Sequence, residues 1–263
     1  MQSPLVSIIT ISRNSERHIE QTIASVAGQD YPNIEHIVVD GSSTDGTLGI
    51  LMKYSGGIVR WVSEPDRGPG DAIKKGLKMA TGEVIALLNS DDYYADTTVV
   101  RKVMVAFERS ADIRMVYGMV RCIEEESGDT IMLWGRDREP SDIRRKMCLP
   151  TPSVFSRREL WDEVGPYSDE YEYADDYEWA IRALKVTRPY FLDHVVACMR
   201  SNGRSHRNYR QGLAEMARAL KEHGYHTDYV RVTLRNRVRI VLRELGLMGF
   251  IYKIRMSMSS KGL

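Results

Sequence analysis

The sequence predicts an α/β protein built on a mostly parallel central sheet with helices on both faces. Three observations predict it. Short apolar runs alternate with helix-like stretches through residues 5–107. Those runs are hydrophobic at nearly every position, as strands covered on both faces must be. Each run also ends in polar, largely acidic residues, which is where ligands sit in such sheets.

LVSIITI (5–11) reads as a buried strand, and residues 16–27 as the helix after it, with Ile19, Ile23 and Val26 on one face. IEHIVVD (34–40) is the second strand, and Ser43 and Thr44 stand where they could cap a helix running to about Tyr54. IVRWV (58–62) is the third strand, followed by a helix over 70–80 with Ile73 and Leu77 in phase. EVIALLN (83–89) is the fourth, and residues 97–107 form a helix aligned on Val99, Val103 and Phe107. The pattern changes over 114–135, which reads as strands around the turn Ser127-Gly128-Asp129, in a smaller mixed or antiparallel region. Residues 157–165 and 176–187 read as helices, and so does the chain from about Arg207.

Composition bounds the function. With 43% hydrophobic and 28% charged residues among 263, the chain can bury a sizeable core. A net charge of +1 excludes bulk electrostatic binding of nucleic acid. The charge is split, however: residues 229–263 carry eight basic residues against Glu244, a net +7, which leaves −6 for the rest. Cys122, Cys148 and Cys198 are widely spaced and form no C-x-x-C pair, so neither a disulfide framework nor a zinc site is indicated. The N-terminus lacks the pattern of a signal peptide, and no apolar run reaches the ~18 residues a membrane span needs. These features predict a cytoplasmic protein.

The chemistry lies at the strand ends. Thr10, Ser12, Arg13 and Asn14 follow the first strand; Asp40-Gly41-Ser42-Ser43-Thr44-Asp45-Gly46-Thr47 the second; Glu64-Pro65-Asp66-Arg67-Gly68 the third; Asn89-Ser90-Asp91-Asp92 the fourth. Neither a G-x-G-x-x-G fingerprint nor a Walker pattern is present, so a glycine cradle for phosphate is not indicated. Acidic strand ends suggest a divalent cation between carboxylate and phosphate. Taken alone, 89–92 reads equally as a turn capping the next helix, and Arg67 as a surface ion pair.

Four segments together resemble the family 2 inverting glycosyltransferases of the GT-A fold. They are Val6–Thr10, Ile37–Thr47, Ser63–Gly68, and Ala80-Thr81-Gly82-Glu83 leading to Asn89–Asp92. The resemblance spans about residues 4–205 and implies a transferase that takes a sugar from a nucleotide-sugar, with UDP as the expected nucleotide. It implies that Thr10, Ser12, Asn14, Asp40, Ser42, Asp66, Arg67 and Asp91 line the nucleotide-sugar site. Asp92, with Asp91 beside it, would hold Mn²⁺ or Mg²⁺. Lys74 stands where relatives often carry Asn. Thr151–Arg158, Gly165-Pro166-Tyr167 and Ala174-Asp175-Asp176-Tyr177-Glu178-Trp179 resemble the acceptor side. Asp176 aligns with the catalytic base and Asp175 is the fallback. Ser201–His206 resembles a loop that closes on the diphosphate through Arg204 or His206.

The implied organisation is a glycosyltransferase domain over 1–205, with a donor half to about 110 and an acceptor half after it, then a helical basic extension over 206–263. The acceptor would be a carbohydrate or lipid-linked saccharide in cell-surface polysaccharide or glycolipid assembly. In the extension, Arg231, Arg235, Arg239 and Arg243 recur every four residues, a basic helical stripe suited to a membrane surface, to packing on the body or to an oligomer contact. Two other readings stay open: a nucleotide-sugar-binding scaffold without turnover, and a nucleotidyltransferase.

Overall fold

The computed structural model describes residues 3–55, 59–201, 203 and 208–244. In chain order the elements are β1 (Val6–Ser12), α1 (Ile19–Ala27), β2 (Ile34–Asp40), α2 (Thr47–Lys53), β3 (Val59–Ser63), α3 (Pro69–Met79), β4 (Val84–Leu87), β5 (Tyr93–Tyr94), α4 (Val99–Phe107), β6 (Met115–Ile123), β7 (Thr130–Trp134), β8 (Phe155–Arg157), α5 (Arg158–Val164), α6 (Asp175–Val186), β9 (Tyr190–Arg200), α7 (Tyr209–Glu222) and α8 (His226–Glu244). Among the described residues all nine strands join one sheet in the order β3-β2-β1-β4-β8-β6-β9-β5, with β7 paired to β6.

The first four strands are parallel, so their carboxyl ends share one edge. β8 then runs antiparallel to both β4 and β6, and β9 is parallel to β6. The mixed region expected at 114–135 is therefore continuous with the parallel sheet. Alternation along each strand divides the core between two faces. Ile9, Ile85, Leu87, Met115 and Tyr117 point into a core closed by α3, α5, α6, α7 and α8. Ile8, Val84, Ala86, Val116 and Val120 point into one closed by α4. Helix α3 lies close on β1: a Cβ on Gly76 would come within 2.4 Å of Ile9 Cγ2.

Two helix starts differ from expectation. α1 begins at Ile19, and α2 begins at Thr47 rather than just after Thr44. The Ser43 hydroxyl donates to Asp40 and the Thr44 amide donates to Asn14 Oδ1, so neither caps the helix. Asp45 Oδ1 instead accepts the Thr47 amide at 3.0 Å. No element was expected where β9 lies. Its run is broken by Asp193 and His194, and it is held by pairing with β6 rather than by a clean local pattern. Helices α7 and α8 place Ala219, Leu220 and Val232 in the same core as Tyr177 and Trp179, so they are part of the body.

Candidate active site

Asp40 closes β2 and is fully buried. Its carboxylate accepts from Ser12 Oγ at 3.0 Å, the Ser43 amide at 2.8 Å, Ser43 Oγ at 2.5 Å and Ser63 Oγ at 2.7 Å. One acid thus fastens the ends of β1, β2 and β3. The neighbouring loop is held by Asn14, whose Oδ1 accepts from the Thr44 amide at 2.9 Å and whose own amide donates to Ser43 Oγ at 2.8 Å. Asn14 (φ 50°) and Ser42 (φ 56°) both take left-handed backbone, which Asn tolerates better than Ser. Ser42 is exposed at the rim. Asp66 lies so close to Gly41 that a Cβ there would meet its Oδ2 at 2.2 Å. Any larger residue at 41 would require the Asp66 carboxylate to move.

Thr10 lies two residues inside β1, fully buried, with its hydroxyl 2.9 Å from His36 Nε2. Its side chain is a core group, and Ser12 is the β1 residue whose side chain reaches the edge. Burial holds His36 down to a pKa of about 3, so the ring is neutral at physiological pH.

The acidic pair sits beyond β4. Ser90 is anchored by a 2.8 Å bond to Ser15 Oγ, and Thr22 Oγ1 donates to the carbonyls of Ser90 and Asp92 at 2.9 and 2.7 Å. Asp92 is 1% exposed. Its Oδ2 accepts from Asn89 Nδ2 at 3.3 Å, while its buried Oδ1 has no hydrogen-bond partner. Burial first, and then the Asp91 charge, push its carboxyl well above the usual range. Asp91 is also raised, chiefly by burial, with His18 and Arg200 pulling the other way. Arg200 donates to the Asp91 carbonyl at 2.6 Å and lies over the Tyr93 ring at 5.3 Å. Gly203 reaches the same place: its Cβ position is 3.8 Å from Asp91 Oδ2.

A buried carboxylate with one orphaned oxygen, beside a half-buried one, is costly unless protonated or matched by a cation. Among the described residues, no group of three His, Cys, Asp or Glu could cage a metal. The carboxylate oxygens of Asp92 and Asp91 are of the hard-oxygen type that would suit Mg²⁺ or Mn²⁺.

Asp175 and Asp176 open α6. Asp176 is half-buried and accepts from Thr151 Oγ1 at 2.8 Å; burial raises its carboxyl above the usual value. It borders a small apolar pocket of about 20 Å³, room for about one water, whose lining includes Leu87, Leu149, Val154, Trp161 and Tyr167. Leu87 ends β4, so the base candidate and the strand leading to Asp91-Asp92 share a wall. Below them Trp161 and Trp179 stack at 4.3 Å. The buried Tyr167 phenol is held well above its usual pKa by burial and by the charges of Asp176 and Asp175. Asp175 faces the other half of the molecule: the Cβ position of Gly70, in the first turn of α3, is 3.9 Å from its Oδ2.

The turn before α6 is held from α7. Glu215 accepts the amides of Glu172, Tyr173 and Ala174 at 3.1, 2.7 and 2.9 Å. Sequence reasoning missed this residue, because the bond spans about forty residues and nothing local marks it. It also missed Arg200, whose signal was only its place at the end of an unexpected strand.

Arg67 is 75% exposed and pairs with Asp71 at 3.2 Å and Asp169 at 3.6 Å. Lys74 joins the same Asp169 at 2.7 Å. Both cations thus tie α3 to the segment before α6. Arg204 and His206 lie outside the described residues.

The glycosyl transferase family 2 model matches residues 7–155, and the chain belongs to that family. It is 31% identical over 198 residues to an uncharacterized glycosyltransferase of Mycobacterium tuberculosis, covering 71% of each chain. It is 30% identical over 206 residues to a PGL/p-HBAD biosynthesis glycosyltransferase of Mycobacterium bovis, covering 75% of this chain and 77% of that one. Two solved structures share the fold. S. aureus TarS in complex with UDP-GlcNAc superposes with a TM-score of 0.66 at 20% identity, over 82% of this chain and 66% of that one. The mannosyltransferase PcManGT from Pyrobaculum calidifontis, in complex with GDP-Man and Mn²⁺, gives 0.64 at 20% identity, over 85% and 65%.

Proposed function

We propose that this chain is a metal-dependent inverting glycosyltransferase that moves a sugar from a UDP-sugar to a hydroxyl of a saccharide or lipid-linked saccharide. The observation that carries this reading is the placing of two carboxyls around β4: Asp92 just beyond it, with a buried Oδ1 that has no hydrogen-bond partner, and the half-buried Asp176, which shares a pocket wall with Leu87. Their environments differ, which suits different tasks.

In this reading Asp92 holds Mn²⁺ or Mg²⁺, with Asp91 beside it facing the ribose. The cation, when bound, neutralises charge on the leaving diphosphate. Ser12, Asn14, Asp40, Ser42 and Asp66 shape the nucleotide end of the cleft, and Arg67 stands at its rim. Asp176 removes the acceptor hydroxyl proton while that oxygen attacks the anomeric carbon. The bond from that carbon to the diphosphate oxygen breaks, the nucleoside diphosphate leaves, and the configuration inverts. Thr151 orients the Asp176 carboxylate, and the Trp161–Trp179 stack fixes the helix that carries it. Asp175 remains the fallback base. The domain over 1–205 does the chemistry, and Arg204 or His206 contributes positive charge to the diphosphate.

Calorimetry with UDP and Mn²⁺, paired with a transfer assay, tests this. Asp92→Ala loses metal-dependent donor binding. Asp176→Asn keeps donor binding and loses transfer. Tight metal-independent UDP binding by Asp92→Ala would overturn the metal assignment. A binding scaffold would show no slow hydrolysis of the donor, whereas an active site with a base does.

A further inference from the structure

Helix α8 has two different faces. Its inner face buries Val232 in the core, and Asn236 there donates to the Leu213 carbonyl at 3.3 Å. Its outer face carries Val230, Leu234, Val238 and Val241, exposed by 52, 59, 58 and 52%. These residues recur every three or four positions, so they form one stripe along the helix. Single exposed apolar residues are ordinary, but four in phase mark a contact surface.

The border of the stripe is cationic. Arg231 is 74% exposed, with Asp228 at 3.9 Å, and Arg237 is exposed as well. Of the arginine stripe expected from sequence, Arg231 faces outward and Arg235 turns in to donate to the Arg145 carbonyl, while the side chains of Arg239 and Arg243 lie outside the described residues. After Glu244 the sequence holds Lys253, Arg255 and Lys261 and no acid.

An apolar stripe with arginines beside it matches an anionic bilayer. The valines and leucine suit the acyl boundary, while the guanidinium groups reach headgroup phosphate. A second copy of the chain matches less well, because a two-fold contact through this face sets the same cations against each other. We propose that the outer face of α8 docks this protein on an anionic lipid surface. The reading is independent of the chemistry assigned to Asp92 and Asp176.

The test is co-sedimentation of the full chain with two kinds of vesicle. One is phosphatidylcholine alone; the other is phosphatidylcholine with an equal part of phosphatidylglycerol. Partition is expected to be roughly tenfold or more stronger on the anionic vesicles and to fall with added salt. The double variants Leu234→Asp/Val238→Asp and Arg231→Glu/Arg237→Glu should each lose most of it, with circular dichroism and Tm unchanged. Equal binding to both vesicles overturns the proposal, as does full binding by either folded variant. So does a wild-type dimer that Leu234→Asp/Val238→Asp converts to a monomer with no vesicle binding in either form, which would make the stripe an interface between copies.

Discussion

Asp176 shows how much one carboxyl's surroundings decide. Burial raises its pKa, while the 2.8 Å bond from Thr151 partly offsets that rise. A base must be ionised to accept a proton. Transfer should therefore decline as pH falls through the raised value, above the 3.8 of an ordinary aspartate. A pH profile of kcat/KM checks this. Thr151→Val should move the acid limb upward, because it removes a bond that favours the charged form. Asp176→Asn should cost about 10²–10⁴-fold in kcat. The same change should stabilise the fold. A group whose folded pKa is raised gives stability that is present below its unfolded pKa and is lost as pH rises through the folded one. At neutral pH the charged Asp176 is thus a burden that Asn removes, and Tm should rise. A fall in Tm would show that the carboxylate is structurally favourable after all.

Helix placement governs the next scale. α6 presents Asp175 and Asp176 because Glu215, on α7, satisfies three amides of the preceding turn. Glu215→Ala should cost about 1–2 kcal/mol, like the loss of a helix cap, read as a lower urea midpoint. Turnover should fall with it, because the base then sits on a looser turn. α3 depends on close approach instead. Gly76→Ala places a methyl 2.4 Å from Ile9 Cγ2, and should cost about 1–3 kcal/mol by overpacking. Because α3 also meets Asp169 through Lys74 and Arg67, that shift should reach the acceptor side. α1 and α2 start later than the sequence predicts because Glu16, in front of α1, and Thr44, in front of α2, bond across to the facing loop, and Asp45 is left to accept the first α2 amide.

Among the described residues, one core joins the first parallel strands to α7 and α8. Leu220 is fully buried in it, and Leu220→Ala should cost about 2–5 kcal/mol in a denaturant titration. A cost near zero would mean that α7 is not integral to the fold. The parallel half was legible because each strand is short, apolar and followed by a helix of matching period. The other half was less so: β8 is three residues long and β9 carries polar breaks, so both depend on partners far away in sequence.

The sequence by itself determined the α/β alternation, the strand-end clusters at Asp40, Asp66 and Asp91-Asp92, and the acidic pair at Asp175-Asp176. These are local signals, written in periodicity and in runs of a few residues. Tertiary structure alone decided which side chains reach the cleft. Thr10 and Ser12 share a strand and a face, yet Thr10 is sealed against His36 while Ser12 meets Asp40 at the edge. It also brought Glu215 to the turn before Asp176 and left one Asp92 oxygen buried without a partner. The physical reason is that burial and hydrogen-bond satisfaction depend on the neighbours a residue meets after folding, and a linear spacing does not specify those neighbours.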